Sequence, residues 1–455
     1  MENSKSPLNI IIKKSLQVSL SIAMTKFIQV ISGFIGMIMI AHLGNKELAA
    51  SAMITPIQAF IIVVSANLLT SVGILISKSY GARDMKQIGA YFKSGLIAAL
   101  LLSIFIDIVL YKIDFILNAF HQPSSIITLV QSYTNVYMIT TPLIMIALVF
   151  QQFLIAVERK KIIVLMSLVS LFVINFFSYS LIYGNFGLPK LGIPGLAWST
   201  TIWLFFAIIT YSIYILKNIY FIKFEILKPS YNQFKYLLRI FKVGFPMTIQ
   251  STSEMLQLLT ITFMVGWLGT NELAIQQIVN QYFILLVVPI FALSQSSSIL
   301  ISQSYGAQNK MDITQYGHTL LTIGLFFASL VMILFISIPQ KMILFYVGQD
   351  NTFTPEMLNL ASVILILTGS RLLLDTVISI KIGSLRGILD MKFPMYVSIL
   401  TSWLLTIPLA YLFCFQLNFG LKGITYASII MMLINSIILL KRWAHKSKSI
   451  AWESS

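Results

Sequence analysis

The chain has 455 residues, 57% of them hydrophobic and only 10% charged, with a mean hydropathy of +0.87. A water-soluble globular chain carries about 25% charged residues, so the aqueous globular classes are excluded. Lys and Arg number 31 against 15 Asp and Glu, a formal charge of +16. In a soluble protein that excess suggests nucleic acid, but here the cations fall in gaps between apolar runs and no nucleic-acid partner is expected.

In chain order, apolar runs lie at 15–41, 48–76, 94–111, 125–157, 162–184 and 193–216. A second set lies at 244–268, 272–301, 315–338, 354–380, 393–415 and 421–440. A helix needs about 20 apolar residues to cross a bilayer. Open sheets cannot satisfy their edges in lipid, and the period-2 alternation of a membrane barrel is absent. The pattern predicts an all-α membrane protein with twelve transmembrane helices. The first run is too long for a signal peptide and lacks a small-residue cleavage site, so it is read as the first span. Cys414 is the single cysteine, which precludes an intramolecular disulfide.

Cations cluster at Lys5, Lys13 and Lys14, from Lys78 to Lys93, from Arg159 to Lys161, from Lys217 to Lys242, at Arg386 and Lys392, and from Lys441 to Lys448. The intervening gaps carry single lysines: Lys46, Lys112, Lys190, Lys341 and Lys422. Such alternation predicts an even number of spans with both termini cytoplasmic. Ile-, Lys- and Asn-rich usage points to an AT-rich bacterial genome, and so to a multi-pass protein of the bacterial inner membrane.

The stretch 217–243 carries six cations and divides six spans from six, predicting an N-terminal lobe over 1–216, a cytoplasmic connector over 217–243 and a C-terminal lobe over 244–455. The two halves are copies. HLGNKELAA at 42–50 matches WLGTNELAI at 267–275, an offset of 225. At the same offset SVGILISKSYGA (71–82) shares nine of twelve residues with SSSILISQSYGA (296–307). Farther on, GIPGLAWS (192–199) resembles GLKGITYA (420–427) at an offset of 228. Six spans per copy make a parallel repeat about an axis along the membrane normal, predicting two pseudo-symmetric six-helix lobes around a central cavity.

The paired LG-x-x-ELA turns, the paired ILIS-x-SYGA segments and GSLRGILDMKFPMY (383–396) resemble the multidrug and toxic compound extrusion (MATE) family along the whole chain. The first-half counterpart of the last motif is LIAVERK at 154–160. The resemblance implies a secondary-active antiporter that exports bulky, amphipathic, often cationic small molecules in exchange for sodium ions or protons. It implies no cofactor beyond that coupling ion, no enzymatic activity and a monomer in the lipid bilayer.

A charge at the centre of a membrane helix costs on the order of 2.5–3.5 kcal/mol on insertion scales, so mid-span ionisable groups are candidates for function. Gln250, Glu254 and Gln257 recur at i, i+4, i+7 and share one face of the seventh span. A carboxylate flanked by amides suits cation or proton binding, and the resemblance implies an acidic residue here. At the 225 offset the first half has Thr25, Gln29 and Ser32, a neutral stripe. Many relatives carry an acidic residue in the first span where this chain has Met37, which shifts the expected ion site to the second half. Asp375 in the tenth span matches an acidic position of sodium-coupled members; with Glu254 it would share a sodium ion or hold one proton. Arg371 lies at i−4 from Asp375, where it could neutralise it, and is not expected from the family. Lys26 lies roughly 18 Å of helix beyond Lys14, too deep to snorkel, and is expected to line the cavity with Gln29, Gln250, Gln257, Gln281 and Arg371. Lys381 is expected to be a snorkelling anchor at the end of the tenth span.

Histidines 42, 121, 318 and 445 are isolated and lack metal-ligand spacing. No GxxxxGK[ST] loop occurs, which excludes ATP hydrolysis of the P-loop kind in this chain. Three rival readings stand beside the exporter, one of them a passive channel or non-transporting membrane scaffold, which an absence of gradient-driven flux would favour. A flippase for lipid-linked oligosaccharide, or another lipid, would use Lys26, Arg371 and Lys381 for a pyrophosphate. A major facilitator transporter would share the twelve spans, with YGARDMKQIG (80–89) as its loop motif.

Overall fold

The structure, a computed structural model, describes residues 6–119, 123–228, 232–347 and 353–450. His121 lies outside the described residues. Every regular element among them is helical. The first half runs α1 (Leu8–Ala41), α2 (Asn45–Gly81), α3 (Met85–Tyr111), a short α4 (Ile113–Ala119), α5 (Ser124–Ala156), α6 (Lys161–Tyr183), α7 (Pro194–Lys217) and a 3-10 turn at Ile219–Phe224. The second half runs α8 (Gln233–Leu268), α9 (Thr270–Gly306), α10 (Lys310–Ser337), α11 (Pro339–Val347) and α12 (Pro355–Gly387). Its last two spans are α13 (Lys392–Leu400), continued by α14 (Ile407–Tyr411) between π-helical turns at Thr401–Thr406 and Leu412–Gln416, and α15 (Gly420–Lys448).

Eleven described helices are long and apolar enough to cross a membrane. The twelfth predicted span is α8, a 36-residue helix whose polar stripe keeps it below that apolarity. Its helix starts at Gln233, inside the segment read from sequence as connector, because Lys235, Arg239 and Lys242 extend the apolar helix as a solvated first three turns.

The repeat is visible in backbone detail. The helices α2 and α9 are each 37 residues long, and α5 and α12 each 33. Gly44 and Gly269 precede α2 and α9 with φ of 146° and 145°, a region that only glycine enters without strain. Glu47 and Glu272 place a carboxylate in each first turn, where the helix dipole favours it. Arg83 and Gln308 turn left-handed at φ 58° and 57°. The next residues cap α3 and α10, Asp84 accepting from the Gln87 amide at 3.0 Å and Asn309 from the Asp312 amide at 3.1 Å. The ends of α5 and α12 match too: the Arg159 amide donates to the Leu154 carbonyl at 2.8 Å, and the Asp390 amide to the Leu385 carbonyl at 2.9 Å. Between these helices the register is therefore 231, as Ser124–Ala156 onto Pro355–Gly387 shows.

Two compact units form: Met24–Thr248, and Met1–Ala23 together with Ile249–Ser455. The first has an aromatic core in which Phe92 meets Phe150 at 5.3 Å and Phe153 at 4.6 Å between ring centroids. Phe221 and Phe224 of the 3-10 turn close that core from one end. The second has an aliphatic core around Val265, Ile275, Ile290, Ile343 and Leu365. Within it, α9 and α12 cross closely through small residues, with Ser297 Oγ and Ser384 Oγ at 2.9 Å and Ser298 Oγ donating to the Gly383 carbonyl at 3.0 Å.

Lys381 overturns an expectation. Its side chain is 1% exposed rather than snorkelling to an interface. Nζ donates to the Gly317 carbonyl at 3.0 Å and lies 5.3 Å from the centroid of the Trp443 ring. Lys381 and Gly317 stand at the positions of Phe150 and Phe92 in the first unit; the Trp443 ring packs over the glycine, and the lysine reaches the Gly317 carbonyl beneath it. One backbone acceptor does not recover the cost of burying an ammonium. We therefore expect Lys381→Met, of similar length, to stabilise the detergent-solubilised protein by about 1 kcal/mol, read as a raised melting temperature.

Candidate functional site

The polar stripe of α8 is clamped against the span that begins with α13. Gln250 is 1% exposed. Its Nε2 donates to Glu254 Oε1 at 3.0 Å and to Ser398 Oγ at 3.1 Å, while its Oε1 accepts from Arg386 Nη2 at 3.1 Å. One turn on, Ser402 Oγ donates to Gln257 Oε1 at 2.6 Å. Between them Trp403 Nε1 donates to Ser253 Oγ at 2.9 Å. Ser398 and Ser402, four residues apart on one face of their own span, meet residues about two turns apart on α8. Ser402 and Trp403 lie in the π turn, where Thr406 Oγ1 reaches back to the Thr401 carbonyl at 2.8 Å. Such widened turns re-aim side chains within a helix.

Glu254 itself presents an exposed side chain, although Gln250, Arg386, Ser398, Gln257 and Ser402 of the network are buried or half-buried. Asp375 on α12 is half-buried and lies within electrostatic range of both Glu254 and Arg371. Arg371 does not form a contact ion pair with Asp375 among the described residues: its guanidinium lies 4.6 Å from the centroid of the Phe283 ring on α9. It is thus less a direct neutraliser than the i−4 spacing implies. The Nε atoms of Arg371 and Arg386 are both buried without a hydrogen-bond partner. The second unit therefore ties one carboxylate and one guanidinium to a buried amide, with Asp375 within electrostatic range of that carboxylate, an arrangement able to take up a monovalent cation or a proton at the exposed carboxylate.

The remaining expected residues stand elsewhere. Lys26 and Gln29 belong to the Met24–Thr248 unit, where Lys26 Nζ donates to Gln29 Oε1 at 3.5 Å. Gln281 is exposed on α9 and does not enter the network around Gln250. The residues that sequence reasoning missed are Arg386, Ser253, Ser398, Ser402 and Trp403. Arg386 stood within a recognised motif, while the i, i+4 spacing of Ser398 and Ser402 matched the Gln250–Glu254–Gln257 stripe and was the available signal.

A duplicated set of membrane-capable helices, one copy of which carries a carboxylate–guanidinium network, is the architecture of a polytopic membrane transporter. More particularly, the chain belongs to the MatE family, whose family model matches residues 21–179 and 246–412. That family is one of multidrug transporters rather than of enzymes. The chain is 26% identical over 438 residues to "Probable multidrug resistance protein NorM" of Synechocystis sp., covering 95% of this chain and 94% of that protein. It is 25% identical over 411 residues to the protein of the same name from Rhizobium meliloti, covering 89% and 87%. Among solved structures, it superposes on an outward-facing multidrug resistance MATE family transporter of the MOP superfamily with a TM-score of 0.87 at 17% identity, covering 100% of this chain and 98% of that one. A MOP superfamily transporter from Pyrococcus furiosus aligns with a TM-score of 0.82 at 18% identity, covering 96% of each chain. These matches overturn the major facilitator reading: the loop 80–89 is part of the MatE match and not a facilitator motif.

Proposed function

We propose that the protein is a cation-coupled antiporter that exports amphipathic, cationic small molecules, with sodium ions or protons bound at Glu254 and Asp375. The observation that carries this reading is the exposed Glu254 carboxylate, tied through the buried Gln250 amide to Arg386. A membrane-embedded carboxylate is costly, and this one is held in place by a network rather than quenched by a contact ion pair. Uptake of a cation there favours whichever conformation binds it more tightly, which is how an ion gradient drives a transport cycle. In this reading the protein works as a monomer in the bacterial inner membrane with both termini in the cytoplasm.

The lipid-linked oligosaccharide flippase loses support. It calls on Lys381 as a ligand for a pyrophosphate, and that lysine is enclosed between α10 and α15. Efflux of a fluorescent lipophilic cation from proteoliposomes, with sodium and proton gradients imposed separately, tests the proposal. Efflux under one gradient identifies the coupling ion. Folded protein that moves the probe under neither gradient refutes the antiporter reading.

A further inference from the structure

The 3-10 turn at Ile219–Phe224 follows α7 with only Asn218 between them, and its three edges differ in character. In a 3-10 helix residues i and i+3 eclipse, so six residues form three pairs. Phe221 and Phe224 are buried in the aromatic core. Tyr220 and Lys223 stack, with Lys223 Nζ 4.0 Å from the ring centroid. The Arg159 guanidinium lies 3.9 Å from the same ring, so two cations share one aromatic side chain. The third edge, Ile219 and Ile222, is 81% and 69% exposed.

Two isoleucines that exposed, beside clustered cations, do not suit water. Their edge continues a stripe of exposed apolar residues down α7, Phe205, Ile209, Ile213 and Leu216, at i, i+4, i+8, i+11 spacing that faces lipid. The next steps of three residues land on Ile219 and Ile222. The stripe therefore reaches past the end of the span into the zone where cations begin. Glu225 does not cancel those cations, since Lys228 donates to it at 3.0 Å and the pair neutralises itself. That contact holds the Glu225 carboxyl below its ordinary value.

We propose that this turn is a binding site for anionic phospholipid headgroups, with Ile219 and Ile222 inserted among the acyl chains and Arg159 and Lys223 on the lipid phosphates. Aliphatic anchors beside basic residues are the composition that binds anionic leaflets. The turn also caps the ends of helices in its own unit, so lipid bound there braces the connector to the span that precedes it. The inference rests on membrane residence alone and stands apart from the ion site.

The test uses full-length protein in liposomes of phosphatidylethanolamine with either phosphatidylglycerol or phosphatidylcholine. A nitroxide is placed at Ile222→Cys in a Cys414→Ala background, and its depth is read from power saturation with oxygen and a nickel chelate. We expect greater access to oxygen than to the chelate; a label as open to the chelate as one in water overturns the proposal. Spin-labelled lipids then give the headgroup preference of the wild type and of Arg159→Gln/Lys223→Gln. Each cation removed should lower the preference for phosphatidylglycerol about fivefold. An inserted label with an unchanged preference in the double variant overturns it equally.

Discussion

Glu254→Gln abolishes gradient-driven efflux and leaves the protein folded. The amide can still accept from Gln250 Nε2, as Glu254 Oε1 does at 3.0 Å, so the clamp between α8 and α13 persists. Exchanging a charged acceptor for a neutral one costs about 1 kcal/mol, within the stability that a single hydrogen bond contributes. The lost function is larger. One elementary charge carried across the membrane supplies about 2.3 kcal/mol per 100 mV, on the order of fiftyfold in a concentration ratio. A variant with no charge at this position forfeits that coupling, so probe efflux falls to the rate seen without a gradient. Asp375→Asn is expected to lose coupled efflux as well, because Asp375 and Glu254 sense one another's charge. The measurement is efflux from proteoliposomes under each gradient, with size-exclusion and melting profiles as the folding control. Retained coupling in Glu254→Gln would move the ion site elsewhere.

The asymmetry of the two copies explains why the charges point to one unit. In the register fixed by α5 and α12, Arg371, Asp375, Lys381 and Arg386 replace Thr140, Ile144, Phe150 and Ile155. On α8, Glu254 replaces Gln29 of α1. The stripe and its missing charge were legible in the sequence, because burial in lipid makes any mid-helix charge conspicuous. The repeat was legible because its turns use glycine and acidic residues that backbone geometry demands. Other features depended on the partner helix. Lys381 read as a snorkelling lysine since nothing in its own helix reveals that α10 offers it the Gly317 carbonyl and α15 the Trp443 ring. Ser398 and Ser402 carry no distinguishing mark in the sequence of their own span, since serines in membrane helices commonly bond back to their own helix. Only the facing stripe on α8 turns them outward. The start of α8 at Gln233 was hidden because an apolarity criterion stops where a helix enters water, while its hydrogen bonds do not.

Gly383→Leu is expected to be the most destabilising single substitution in the second unit, by about 3 kcal/mol. Ser379, Gly383 and Gly387 recur every four residues on α12, the small-residue spacing that lets membrane helices approach closely. A Cβ built on Gly383 meets the Ser294 carbonyl oxygen at less than contact distance, and that oxygen belongs to a helix backbone and cannot swing aside. Separation of the helices also stretches three interhelical bonds: Ser294 Oγ to the Ser379 carbonyl at 2.6 Å, Ser297 to Ser384 at 2.9 Å and Ser298 to the Gly383 carbonyl at 3.0 Å. Each such interhelical bond contributes about 0.6 kcal/mol, and overpacking adds about 1–3 kcal/mol. The first unit shows that the crossing itself, rather than glycine at this position, is what the fold requires. There the equivalent of Gly383 is Gln152, whose side chain lies over Gly73, the equivalent of Ser298 on the facing helix. The small residue has changed sides between the copies. Gly383→Gln paired with Ser298→Gly clears the space over residue 298 but leaves the Ser294 carbonyl in the way, so it should recover little of the melting temperature that Gly383→Gln alone loses. A double variant as stable as the wild type would show that the helices re-space themselves as in the first unit.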